Sequence, residues 1–447
     1  MRLSRACDGG STGRQTWSCR RPPMYPLVIR NFADSKSFPF FFFAMDSIIT
    51  TLGSEAAWEE FLAYRLRKGR LSWHDFDEAD AFVENKGYLA LAQQLDQGQS
   101  LGIPNKSIIN KMGTGKKRVV YSFGHNEMLM LKLLAYLLYR YDDCFASNCY
   151  AFRRGRDAHD GIKSLNRGLK GHPMWAYKVD IHDYFNSIPI DLLIPMLEEI
   201  LVDDPQLCQF FQTMLTNNKV LYNGQVTEER HGVMAGIPTA PFLANVYLNK
   251  VDHHFLEAGV LYARYSDDII LFAPDEATLN QHKAVLLGFL DELRLEVNPD
   301  KEHIFSPDQA YEFLGFSCHG NDIDIAHSTL EKMKGKIRRK ARSLKRWSER
   351  NDIDPQRSMK ALIRYFNRKF FESNDPETLT WTRWFFPMIT QTDGLMEIDH
   401  YLQQNIRYLS TGRHCKANFQ VSYEQLKQLG YKTLVNEFHH FKEARSI

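Results

Sequence analysis

Two strand-like segments, far apart in the chain, each carry acidic residues where the strand should stop, and this constrains the fold more than any other feature. Trp175–Ile181 alternates apolar and polar residues and reaches an acid at Asp180. In Tyr262–Phe272, β-rich apolar flanks are interrupted by Asp267 and Asp268, which suggests a hairpin with the acidic pair at its turn. Helical patterns lie between and after these segments, so the expected class is α+β. Carboxylates meeting from two such places are what a two-metal site for nucleotidyl transfer requires. One ion activates an attacking hydroxyl and the other stabilises the leaving pyrophosphate, with the pair ~3.5–4 Å apart. Mg²⁺ is hard and keeps several waters, so a few Asp side chains and the substrate's phosphates suffice. Asp is also an ordinary turn and N-cap residue, and Tyr265-Ser266-Asp267-Asp268 alone does not decide between the two readings.

Composition narrows the setting. The chain has 447 residues, enough for two or three domain-sized units with a large core. Its formal charge of +2 is near neutrality, so a nucleic-acid partner would have to be signalled by where the charge sits. The seven cysteines form no CxxC pair and no zinc-spaced cluster, the expectation for reduced thiols of a cytoplasmic protein. No apolar run approaches the ~20 residues of a spanning helix, so no membrane association is expected.

Organisation follows from composition shifts. Residues 1–44 are rich in Arg, Ser, Gly and Pro without helical or strand period. With Met24 and Met45 both able to start the chain, that stretch is expected to be a disordered or non-native extension, a basic targeting arm being the alternative. Residues 45–175 are read as N-terminal helices with a basic, Gly-punctuated hairpin arm over Lys111–Tyr121. Residues 176–320 carry both sets of acids and the helical pattern between them. From residue 321 to 447 the pattern is helical: Leu330, Met333, Ile337, Ala341 and Leu344 trace one apolar face amid lysines and arginines. Such charge is what either a solvated bundle or a phosphate-binding surface presents. Trp347, Tyr365, Phe366, Trp381 and Trp384 interleave with it, as core or as stacking platforms.

The neighbours of the acids settle their reading. Asp180–Ile188, Gly236–Leu248, Tyr265–Asp268, Leu295–Lys301 and Glu312–Phe316 resemble, in order and spacing, motifs A, B, C and D and the primer grip of reverse transcriptases of the bacterial and group II intron type. The resemblance covers roughly residues 110–320 and implies a right-hand polymerase: fingers within residues 45–175 and palm over 176–320, of antiparallel sheet plus helices, and an α-helical C-terminal thumb over 321–447. It implies RNA-directed DNA synthesis from deoxynucleoside triphosphates, with two Mg²⁺ ions, for which Mn²⁺ can substitute, on Asp180, Asp267, Asp268 and the Ile181 carbonyl. Lys301 would serve as the general acid for pyrophosphate. Phe185 falls at the steric gate that refuses a ribose 2′-hydroxyl. Lys117, Arg118, Arg153, Gly236 and Pro238 fall at nucleotide-binding positions. Arg154, Arg156, Tyr265, Phe313, Gly315, Lys336, Arg339 and Arg342 fall where nucleic acid would be held.

Ala235 and Ala240-Pro241 depart from the Gln and Ser-Pro common in motif B. This motif B, together with the ending Gly430–Val435, most resembles the defence-associated group, and within it class 2. That resemblance implies an antiphage role, a structured noncoding RNA as template, and repeated rolling-circle copying into concatemeric complementary DNA. The alternatives are a retron-like or group II intron-like enzyme, a catalytically inactive RNA-binding scaffold, and an RNA-dependent RNA polymerase, which Phe185 disfavours. No zinc-knuckle endonuclease or ribonuclease H module is recognisable. Priming and oligomeric state have no sequence signature.

Overall fold

The computed structural model describes residues 46–67, 73–110, 117–372 and 380–445. The extension expected over 1–44 lies outside the described residues, as does 111–116 of the finger arm. The strands are β1 (Asn105–Asn110), β2 (Lys117–Ser122), β3 (Trp175–Asp180), β4 (Lys219–Tyr222), β5 (Gln225–Glu228), β6 (Tyr262–Tyr265), β7 (Asp268–Ala273), β8 (His303–Phe305), β9 (Tyr311–Phe313), β10 (Phe316–His319) and β11 (Asp322–Ile325). They form three sheets, ordered β2-β1-β4-β5, β6-β7-β3-β8 and β11-β10-β9.

The second sheet is central, because its two faces feed two different cores. Successive strand side chains point to opposite faces. Tyr177, Val179, Ile269 and Leu271 therefore join a core shared with the N-terminal helices. Ala176, Ala263, Ile270 and Phe272 join one shared with the third sheet and the C-terminal helices. A sheet buried on both faces is held in register from both sides, since a slip by one residue would exchange the two sets.

Helices cover it. Ala240–Glu257 starts with Pro241 in its first turn, where a missing N–H costs nothing, and is buried along most of its length. His327–Arg350 buries Leu330, Met333, Ile337 and Ala341, the face expected from their spacing, while Leu344 is half-buried. It packs on Pro355–Phe371 and Asp393–Thr411. The final segment is docked by Asp399, whose carboxylate accepts from Leu434 N at 2.9 Å, Val435 N at 3.2 Å and the Tyr431 hydroxyl at 2.9 Å. It thereby caps the helix Leu434–Glu443. Among the described residues no helix is long and apolar enough to cross a membrane, and the five described cysteines are free.

Candidate active site

Strand register brings the acids together. β3 and β7 pair antiparallel with Asp180 directly opposite Asp268. β6 and β7 pair with Tyr265 opposite Asp268, so Ser266 and Asp267 form a two-residue hairpin turn. Such turns need positive φ, and Ser266 supplies it at +63°. The turn is tied to β3 by Ile181 N donating to Asp267 O at 3.1 Å. Motif D closes the other side: Asn298 N donates to Asp180 O at 2.8 Å and His182 N to Glu296 O at 2.8 Å. This bridge uses the carbonyl of Asp180 and leaves that of Ile181 outside it.

Like charges opposite one another across a strand pair repel, and lysines counter them here. Lys301 Nζ lies 2.5 Å from Asp180 Oδ2, and Lys178 Nζ lies 3.3 Å from Asp268 Oδ1. Burial, then the charge of Asp180, raises the Asp267 carboxyl above the usual range, against the pull of Lys301 and Arg118. Burial also raises Asp268, opposed by Lys178 and reinforced by Asp180 and Asp267. The Asp268 Oδ1 atom is buried without a hydrogen bond, since Lys178 stands at ion-pair separation without hydrogen-bonding geometry. Among the described residues no group of three or more His, Cys, Asp or Glu is arranged to hold an ion. The donor set nevertheless fits a hard cation: crowded carboxylates, one with an orphaned oxygen, beside a carbonyl outside the ladder.

Around the acids stand the other predicted residues. Lys117 and Arg118 are exposed on β2, and the Arg118 charge reaches Asp267. Gly236 has φ +110°, and a Cβ there would lie 2.8 Å from Tyr121 O, so motif B passes β2 too closely for any side chain. Ala235 completes that junction, with its N–H donating to Asn186 Oδ1 at 3.0 Å and its carbonyl accepting from Tyr121 N at 2.8 Å. Pro238 is half-buried in the turn before the motif B helix. Phe185 is half-buried, edge-on to Phe152 with ring centroids 6.1 Å apart, and Phe152 also meets Tyr265 at 6.4 Å. Arg154 is exposed, and Arg156 is half-buried, donating to Ser147 O at 2.6 Å.

Two expectations are corrected. Arg153 does not reach toward a nucleotide: its side chain is 4% exposed. Its guanidinium donates to Ala146 O at 2.7 Å, Cys149 O at 3.3 Å, Asp142 O at 2.7 Å and Asp142 Oδ1 at 3.3 Å. A buried cation must be satisfied internally, and this one fixes its own loop. Phe313 does not face nucleic acid either. It is 1% exposed in the C-terminal core, with Lys178 Nζ 6.0 Å from its ring centroid. Gly315, at φ +89°, makes with Leu314 the turn between β9 and β10.

The reverse transcriptase (RNA-dependent DNA polymerase) family matches residues 103–318. This chain carries a reverse transcriptase domain. The group II intron-encoded protein LtrA of Lactococcus lactis subsp. cremoris is 26% identical over 196 residues, 43% of this chain and 32% of that protein, and its counterpart in strain MG1363 matches equally. The match thus spans about a third of that relative's length. Among solved structures, apo telomerase from Candida tropicalis truncated from the C-terminal domain has a TM-score of 0.40 at 14% identity, covering 50% of this chain and 55% of that one. Telomerase from Candida albicans in complex with a TWJ fragment of telomeric RNA has a TM-score of 0.41 at 12% identity, covering 74% and 62%.

The reverse transcriptase domain holds residues that motif reading missed. Arg264, three positions before Asp267, is fully buried and ion-paired to Asp252 of the motif B helix at 2.5 Å. It also donates to Asn245 Oδ1 at 3.2 Å, to Cys149 Sγ at 3.1 Å and to Ser266 O, in the catalytic turn, at 3.2 Å. Asn245 in turn donates to Ala151 O at 2.9 Å. One guanidinium therefore ties motifs B and C and the Arg153 loop together. A cation inside a strand otherwise read as buried was the available signal.

Beyond the domain, a groove of about 1040 Å³ runs between the helices His327–Arg350 and Pro355–Phe371, reaching Leu429 and Gly430. Lys340, Arg357, Lys360, Arg364, Arg368 and Lys369 line it, against the single acid Glu372. Lys340 Nζ sits 4.7 Å from the ring centroid of Tyr365, which is 44% exposed. The predicted Lys336, Arg339 and Arg342 are exposed on the first of these helices, and Lys336 is close enough to Lys369 to feel its charge.

Proposed function

We propose that the chain is an RNA-directed DNA polymerase. The observation that carries this is the register setting Asp180 opposite Asp268, with Asp267 in the adjoining turn and Arg118 within electrostatic reach. Asp180, Asp267, Asp268 and the Ile181 carbonyl would hold Mg²⁺, or Mn²⁺ in its place. When bound, the ions activate the primer's 3′-hydroxyl and neutralise charge on the leaving pyrophosphate. Lys301, with Nζ 2.5 Å from Asp180 Oδ2, would serve as the general acid for pyrophosphate. Lys117 and Arg118 orient the triphosphate, and the Phe185 ring refuses a ribose 2′-hydroxyl. The groove between the C-terminal helices supports contact with an RNA backbone, since six cations line it against one acid.

The finer reading extends the same proposal. Motif B without Gln and the segment Gly430–Val435 support a defence-associated enzyme of class 2, acting against phage, and the free thiols of the described cysteines support a cytoplasmic setting. It would copy a structured noncoding RNA by repeated rolling-circle passage into concatemeric DNA. The likeness to LtrA favours a second reading, an intron-type enzyme. Sequencing nucleic acid that copurifies with the protein separates them: a dedicated noncoding RNA with concatemeric complementary DNA supports the first, an intron RNA the second.

The activity itself is tested by extension of a DNA primer on an RNA template with Mg²⁺. The variant Asp267→Ala/Asp268→Ala is expected to lose at least ~10³-fold in rate, because two of the three carboxylates that would hold the ions are gone. Chelation should abolish synthesis by the wild type. Undiminished extension by the double variant overturns the assignment.

A further inference from the structure

Phe152 combines three properties that conflict unless its position has a purpose. It is a bulky aromatic residue at φ +60°, a conformation such side chains rarely adopt. The residue is 42% exposed, so burial does not recover the strain. Its neighbours are fixed, with Ala151 fully buried and its carbonyl held by Asn245, and Arg153 buried on four hydrogen bonds. The chain before them is pinned as well, Tyr150 N donating to Arg264 O at 2.9 Å. The strain is therefore held from both sides and delivers one thing, the placement of the ring.

That ring stands at an interplanar angle of 72° to Phe185, the favourable edge-to-face arrangement, and 40° to Tyr265 of the catalytic hairpin. The Phe185 backbone is fixed separately, because its carbonyl accepts from Val233 N at 2.8 Å and Gly232 has no room for a Cβ beside it. Its side chain has Tyr184 on one side, with centroids 5.7 Å apart, and Phe152 on another. A ring that must refuse a hydroxyl has to resist being pushed aside, and a packed neighbour supplies the resistance.

We propose that Phe152 is a specificity-determining residue, the second ring of a two-ring sugar gate, which keeps Phe185 from yielding to a ribonucleotide. The proposal rests on the reading of Phe185 as the gate. Phe152 acts through Phe185, so removing it changes the choice of sugar rather than the rate of deoxynucleotide insertion.

The test is single-nucleotide insertion by the full chain on an RNA template and DNA primer, comparing kcat/KM for a ribonucleotide with that for the matching deoxynucleotide. Phe152→Asn removes the ring while tolerating the left-handed backbone. It is expected to raise the ribo-to-deoxy ratio on the order of tenfold. Phe152→Tyr should keep the wild-type ratio, Phe152→Leu should fall between, and Phe152→Asn should add nothing to Phe185→Ala. An unchanged ratio in Phe152→Asn and Phe152→Leu, including an equal loss of both activities, overturns the proposal if Phe185→Ala does relax the choice. If Phe185→Ala leaves the ratio unchanged, the gate reading itself falls, and this proposal with it.

Discussion

Two cation-rich regions of this protein use the same side chains in opposite ways. Beneath the catalytic turn, Arg264 and Asp252 are both fully buried, and the guanidinium has fixed partners on three segments. In the groove of the C-terminal helices six cations stand with one acid. A charge removed from water must be paired and hydrogen-bonded, and it then transmits position to whatever it holds. A cation left at the surface keeps its solvation and is available to a phosphate backbone, whose affinity then depends on salt. Burial therefore converts an arginine from a ligand of nucleic acid into a positioning element.

The largest effect expected from this comparison is at Arg264. Arg264→Met leaves Asp252 buried and unpaired, a loss of about 3–5 kcal/mol visible as a lower Tm. Adding Asp252→Leu should recover most of that stability, while primer extension stays impaired because Ser266 O has lost its donor. Full recovery of extension would reduce the pair to packing. Next comes the groove, where Arg364→Glu with Arg368→Glu should weaken RNA binding roughly 10–100-fold at moderate salt and lower the salt slope by about two. Stability should change by no more than about 0.5 kcal/mol. Equal binding by this variant, measured by titration at several salt concentrations, would remove the groove from the RNA path. The smallest effect is expected at the exposed pair Arg294–Asp191, 2.8 Å apart with side chains 61% and 63% exposed. Arg294→Ala should cost under ~1 kcal/mol, disappearing in high salt. A larger loss would mean that surface pairs here also position structure.

The two corrected residues follow the same rule. Arg153 lies in a segment whose sequence announces cations, yet nothing local distinguishes an arginine in solvent from one folded onto carbonyls of its own loop. Phe313 lies in a short strand, where successive side chains point to opposite faces, and the pairing with β10 sets it on the inward one. Lys178 escaped notice because a polar residue in an alternating strand reads as a solvent position. Here that face is closed by the third sheet, and Lys178 is set beside Asp268.

What the sequence determined by itself is whatever depends on neighbours along the chain. The 3.6-residue spacing of Leu330, Met333, Ile337 and Ala341 fixes a buried helix face, and the β-rich flanks of Asp267 and Asp268 fix a hairpin. Motif order adds the identity of the acids. Tertiary structure alone decided which charges lie in a low dielectric and which rings touch: Arg264 against Asp252, Lys178 against Asp268, Phe152 against Phe185. Those contacts join residues remote in the chain or set on strained backbone. Their energies depend on how much water is excluded around them, a quantity that exists only once both cores have closed on the central sheet.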